Sequence, residues 1–206
     1  MVAAIILAAG GSTRMGQSKP LLAYSAVAGE TFVSKLVENV KLSGFSVVLV
    51  VGRPGDALLA AEVARCSATY VENPRPEQGQ LSSLQTALAA LEDRFGPELE
   101  AVMVMPVDAP LISSAAVNLI VKAARVSTAQ ILRATHDGQH GHPVLFKRST
   151  FFELQNADPD VGARVVVRAD PSRLEDVDVG EKGVTIDFDT PEQYRRHFGT
   201  APSTSR

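Results

Sequence analysis

The stretch LAAGGSTRMGQSKPLL, Leu7 to Leu22, continues the apolar run Val2–Leu7 and carries two cations, Arg14 and Lys19, with no acid between them. Unbroken apolar character of this kind fits a central strand buried on both faces. Glycines at positions 10, 11 and 16 then break the pattern. A buried strand that runs into a cationic, glycine-rich turn brings backbone N–H groups and positive charge to one place, as phosphate binding requires. The rest of the chain decides what kind of phosphate loop this is.

Downstream, short β-branched runs alternate with helical periodicity, the pattern of βαβ units. Phe32, Val33, Leu36, Val37 and Val40 share one helical face within Glu30–Ser43, and Gly44 supplies a stop. Phe45–Val51 reads as a second buried strand, Asp56 as the cap of a helix through Arg65, and Ala68–Val71 as a third strand. Leu81, Leu84, Leu88 and Leu91 mark another helix, Ala101–Met105 a fourth strand, and Ser113 the cap of a helix to about Val126. Beyond it, Ile131–Thr135 and Pro143–Lys147 read as strands around a polar glycine loop, HDGQHGH. Helices are expected over Thr150–Gln155, from near Val161, and over PEQYRRHF, with extended segments at Arg173–Val179 and Val184–Phe188. The prediction is an α/β fold: one domain over 1–199, a mostly parallel central sheet with helices on both faces, and a disordered tail over 200–206. Ligands of such sheets bind beyond the carboxyl ends of the strands, where the loops starting at Ala8, Gly52, Glu72 and Pro106 lie.

Bulk properties narrow the function classes. A net charge of −3 gives no electrostatic case for nucleic acid or an anionic membrane as partner. No apolar run approaches the roughly 20 residues of a membrane helix, and the apolar start lacks the basic residues of a signal peptide. The single cysteine, Cys66, rules out an internal disulfide and fits a reducing cytoplasm.

Three templates compete for the loop. A Rossmann fingerprint needs G-x-G-x-x-G, and the glycine spacing fails. A Walker loop fits Gly11, Gly16 and Ser18, but Gln17 stands where the lysine belongs. The pattern L-A-[AG]-G-x-S-x-R-M-G-x-x-K of nucleotidyltransferases is matched at every fixed position, by Leu7, Ala8, Ala9, Gly10, Ser12, Arg14, Met15, Gly16 and Lys19. Gly10 and Gly11 are expected to let the backbone approach phosphate and to tolerate positive φ. Arg14 offers a fixed fork of donors and Lys19 a compact charge.

Other residues complete a constellation. Asp108 in MPVDAP follows the fourth strand and is placed to hold Mg²⁺ with phosphate oxygens. In TIDFDTPEQY, alternation on a strand lets only one of Asp187 and Asp189 face the site; Asp187 is the favoured second metal ligand, and Asp189 the cap of the last helix. Gly79, Ser82 and Ser83 in ENPRPEQGQLSS offer a base-reading loop, although helix capping also accounts for the serines. His136, His140 and His142 match no common zinc spacing; substrate contact by a flexible loop is preferred for them, with a plain hairpin turn as the alternative. Asp160, Gly162 and Arg164 are candidates for holding an anionic acceptor, with a solvated helix start as the plainer alternative.

With these residues in hand, the chain resembles the MobA-like nucleotidyltransferase family, and within it the molybdenum cofactor cytidylyltransferase branch. The likeness runs through the first loop, VVGRPGD, NPRPEQGQLSSL, PVDAP, GHPVLF, VGAR and DFDTPEQY. LAAG (Leu7–Gly10) and GQLSSL (Gly79–Leu84) lean toward cytidine, while AYSAVAGETF (Ala23–Phe32) is longer than the segment that usually follows the lysine. The resemblance implies a Rossmann-like nucleotidyltransferase fold and transfer of a nucleoside monophosphate, CMP from CTP, onto a phosphorylated small-molecule acceptor, molybdopterin. Arg14, Lys19 and Asp108 are the implied catalytic residues. Leu7, Ala8, Ala9, Gly10, Gly11, Ser12, Arg14, Lys19, Gly79, Ser82 and Ser83 would bind nucleotide, Asp108 and Asp187 Mg²⁺, and His142 and Arg164 the acceptor. A transient contact with the enzyme receiving the product is a further expectation. A guanylyl- or sugar-phosphate nucleotidyltransferase, or a nucleotide-binding module without turnover, are the alternatives.

Overall fold

Strand β1 (Val2–Leu7) pairs in parallel with β2 (Val48–Gly52) on one side and β4 (Ala101–Pro106) on the other. In the computed structural model, which describes residues 1–24, 29–159 and 161–204, these belong to one seven-stranded sheet of order β3-β2-β1-β4-β6-β5-β7. β3 (Thr69–Glu72) extends β2 in parallel, and β7 (Leu174–Asp178) pairs in parallel with β5 (Ile131–His136). β6 (Gln139–Lys147) lies between β4 and β5 and runs antiparallel to both. The expected mostly parallel α/β sheet is therefore present, with one reversed strand.

Both faces are covered, and the strands divide residue by residue between two cores. Ala4, Ile6, Val48, Val50, Met103 and Met105 face one core, into which pack α1 (Phe32–Leu42), α2 (Ala57–Arg65), α4 (Ser114–Val126) and α7 (Pro191–Phe198). Ala3, Ile5, Leu49, Val51, Val102 and Val104 face the other, against α3 (Gly79–Phe95), α5 (Phe151–Asn156) and α6 (Arg164–Ala169). Asp56 and Ser113 cap α2 and α4 through backbone N–H groups three residues on, as expected. No helix among the described residues is long and apolar enough to cross a membrane.

Three expectations are corrected. The HDGQHGH loop shrinks to a two-residue hairpin turn, Asp137–Gly138, both at positive φ (48° and 73°), so Gln139 to His142 belong to β6. The helix placed near Val161 starts only at Arg164, because Gly162 takes φ 80°, outside helical space. Val184–Phe188 is no strand: a 3₁₀ turn covers Lys182–Thr185. That turn crosses β6 so closely that a Cβ at Gly141 would stand 2.1 Å from the Val184 carbonyl oxygen. Residues 200–204 lie along the segment from Gln17 to Ala23, where Ala23 N–H donates to Ser203 O (2.9 Å) and Gln17 Nε2 to Pro202 O (3.0 Å). Ser205 and Arg206 of the expected tail, and residues 25–28 of the Ala23–Phe32 segment noted above, lie outside the described residues.

The carboxyl end of the chain is fastened to the sheet by aromatic packing. Phe188 is buried against Phe32 (ring centroids 5.7 Å) and Phe198 (5.3 Å). Its N–H donates to Asp108 O at 2.8 Å, which ties the segment to the end of β4. Phe188→Ala should therefore lower the urea midpoint at unchanged slope, at a cost of about 3–5 kcal/mol.

Candidate active site

The first loop is shaped by two residues of its motif. Met15 is buried in the core beneath it and anchors its far side. Ser12 stands at φ 50°, its carbonyl accepting from Met15 and Gly16 N–H, and its Oγ from Lys19 N–H at 3.2 Å. The left-handed turn expected of Gly10 and Gly11 thus falls on Ser12 and on Gly16 (φ 72°). What Gly10 supplies is space: a Cβ there would meet nothing within 4 Å. The loop encloses a cavity of about 280 Å³, walled by Leu7, Ala8, Ala9, Gly10, Gly11, Ser12 and Lys19 on one side and by Gly79, Ser83 and Asp108 on the other.

At its edge four charges meet. Lys19 Nζ donates to Asp108 Oδ2 at 2.9 Å and to Asp189 Oδ1 at 2.5 Å. Arg14 Nη2 lies 3.0 Å from the other Asp189 oxygen, its side chain 69% exposed against 11% for Lys19. Burial alone would lower the Lys19 pKa, but the hydrogen bonds and charges of Asp189 and Asp108 outweigh it and raise it. Asp189 is held below the usual carboxylate range, first by its hydrogen bond from Lys19. Asp187 behaves oppositely: burial, then the negative charges of Asp108 and Asp189, push its carboxyl up to about 6. Because residues 186–190 are not a sheet strand, alternation does not apply, and both aspartates reach this region. Asp189 is also not the helix cap; Thr190 caps α7 in a reciprocal box with Gln193.

A second cavity of about 710 Å³ adjoins the first, and Leu7 and Gln80 belong to both walls. His140, His142, Val144 and Phe146, alternate residues of β6, form one side, and Arg164, Arg168 and Asp187 contribute charge. His142 and Arg164 therefore share one cavity. Asp160 lies outside the described residues. Burial lowers the His142 pKa to about 4, against the opposing pull of Asp108, so the ring is neutral; its Nδ1 is shut from solvent without a hydrogen-bond partner among the described residues. His140 and His142 stand on a strand rather than a flexible loop, and His136 lines neither cavity. Among the described residues no group of three or more His, Cys, Asp or Glu is arranged to hold a metal ion.

Ser82 and Ser83 are neither caps nor equivalent. Both accept from the buried Asn73 Nδ2 (2.8 and 2.9 Å), and Ser82 Oγ is engaged by Gly79 and Arg75 carbonyls (2.8 and 3.0 Å). Only Ser83 lines the small cavity. Asn73 was missed, although a lone asparagine ending a strand before two prolines is a visible signal. Gln80 was missed too, as was Arg168, which follows Arg164 at helical spacing on the same face.

A doubly covered α/β sheet with this loop at its first strand, and a strand-end aspartate facing the loop, is the frame of a nucleotidyltransferase. The chain belongs to the family of the MobA-like NTP transferase domain, whose model matches residues 4–177. It is 24% identical over 191 residues to the molybdenum cofactor cytidylyltransferase of Escherichia coli (strain K12), covering 92% of each chain. The crystal structure of Rv0371c from Mycobacterium tuberculosis H37Rv superposes with a TM-score of 0.76 at 26% identity, covering 97% of both chains. A complex of Rv0371c with manganese gives 0.71 at 23% identity, covering 97% and 98%. A nucleotidyl transferase from Methanothermobacter thermautotroptrophicus gives 0.78 at 18% identity, covering 97% and 96%.

One consequence concerns His142 alone. Its folded pKa lies below the unfolded value of about 6.5, so the unfolded chain binds the proton first. This group therefore takes stability away as pH falls from about 6.5 to about 4. An NMR titration of the metal-free protein should show the ring neutral at pH 5.5; a midpoint above 6, near the ordinary value, would contradict the burial described.

Proposed function

We propose that this nucleotidyltransferase moves CMP from CTP onto the phosphate of a small-molecule acceptor of the molybdopterin class, in the cytoplasm, with Mg²⁺ and release of pyrophosphate. The observation that carries this reading is the junction of the two cavities: Lys19 and Asp108 in the wall of the smaller, and Arg164, Arg168 and Asp187 in the wall of the larger. The cytidylyltransferase named above supports both CTP and the pterin, and Ala9 and Gly10 in the small cavity's wall carry the cytidine-leaning part of the motif.

In the reaction, an acceptor phosphate oxygen attacks the α-phosphorus, a new P–O bond forms, and the bond to the β-phosphate oxygen breaks. No protein nucleophile is needed; the work is alignment of two anions and stabilisation of developing charge. Lys19 and Arg14, released from Asp189 by the arriving phosphates, take the triphosphate. Gly79 and Ser83 face the nucleotide across the cavity, while His142 and Arg164 face the acceptor, the neutral imidazole as donor or acceptor and the guanidinium as charge.

Asp108 and Asp187 fit a divalent cation, since Asp187 is pushed toward the neutral form by burial and by the carboxylates beside it, a situation that a cation relieves. Mg²⁺ commonly takes one or two carboxylates and completes its shell with phosphate oxygens and water. Bound there, it would neutralise phosphate charge. The manganese complex of Rv0371c is a further support for a divalent ion.

Pyrophosphate release measured with the four triphosphates, Mg²⁺ and molybdopterin should be fastest with CTP. Preference for GTP, or turnover only with a sugar phosphate, would replace this reading; tight nucleotide binding without release would make the protein a binding module. Arg14→Ala and Asp108→Ala should each lower turnover by roughly 10³-fold or more with the fold intact. Near-normal rates in either variant would remove that residue from the mechanism.

A further inference from the structure

Arg14 and Lys19 are both compensated by carboxylates in the ligand-free protein. A third cation at the same loop is not. Arg53 follows β2, and its guanidinium lies against the loop from the side: a Cβ built on Gly11 would stand 3.3 Å from Arg53 Nη2. Among the described residues that guanidinium has no ion pair and no hydrogen bond. The acids of the neighbouring turn and strand are engaged with backbone instead: Glu72 Oε1 accepts from Gly55 N–H at 2.9 Å and Asp56 Oδ1 from Leu59 N–H at 3.1 Å.

The backbone that carries Arg53 is fixed. Tyr70 OH donates to the Arg53 carbonyl at 2.6 Å, and Gly52 must be glycine because a Cβ there would fall 2.3 Å from the Tyr70 hydroxyl oxygen. Gly55 at φ 74° and the Asp56 cap of α2 hold the other side. The side chain is thus presented from a rigid turn.

Its position relative to the other charges is set by the sheet. β2 and β4 flank β1 on opposite sides. Asp108, at the end of β4, stands on one side of the loop and Arg53, at the end of β2, on the other. A polyphosphate whose reacting phosphorus sits by Lys19 and Asp108 can extend over Gly11, where the missing side chain leaves the backbone open. Its far end then meets an uncompensated guanidinium, which suits phosphate by its planar pair of donors.

We propose that Arg53 binds the terminal phosphates of the nucleoside triphosphate, and retains pyrophosphate after transfer. It is a specificity residue that distinguishes triphosphate from monophosphate. This rests on the nucleotide reading of the first loop given above.

The test is calorimetric titration, with Mg²⁺, of the best-binding triphosphate of the four, its monophosphate, and inorganic pyrophosphate. Arg53→Ala should weaken triphosphate and pyrophosphate about tenfold while leaving the monophosphate within about twofold, and Arg53→Lys should fall between. The apo melting temperature should not change in either variant. Unchanged triphosphate affinity, or an equal loss for the monophosphate, overturns the proposal. So does a fall in apo melting temperature common to both variants, which would make the side chain structural. Failure of the wild-type protein to bind any triphosphate would instead overturn the nucleotide reading itself.

Discussion

The Lys19 ammonium is the point on which the site depends. It is largely buried, and burial of an unpaired ammonium is costly, so the fold must bring acids to it. Asp108 arrives from β4, and Asp189 from a segment more than eighty residues further along the chain. The Phe188 N–H bond to the Asp108 carbonyl, and the aromatic packing around that ring, hold the two contributions together. Three remote stretches therefore converge because one charge has to be satisfied, and the cavities form in the space they leave.

Much of this was visible in the amino-acid sequence, for reasons that can be named. The buried parallel strands are apolar on both faces, so they stand out as continuous runs. The first loop is local: all its working residues fall within a single stretch, and its match to a nucleotidyltransferase pattern needed no tertiary information. Asp108 was legible because a strand and two prolines fix its place.

What escaped reading is what tertiary contact decides. The segment 184–188 has a strand's composition, yet it crosses β6 at Gly141 instead of pairing beside it, and the rule of alternate faces then misassigned Asp189. The serines at 82 and 83 suggest caps only until the buried Asn73, which follows β3, claims both. Two glycines in the first loop attracted the positive φ that the chain spends on Ser12, because the helical-looking turn after them is closed by the serine carbonyl. The reach of Arg53 toward Gly11 depends on a neighbouring strand, and no spacing within one motif encodes it.

The reversal of β6 has an effect on how the larger cavity can vary. Loops tolerate insertions, and the nucleotide side is made mostly of loops. The opposite wall is written on every second position of one strand, His140 through Phe146, while Leu145 between them faces the other core. A gain or loss of one residue there would not lengthen the wall; it would exchange chamber for core along the whole strand. Diversity on that side of the molecule has to come by substitution in a fixed register.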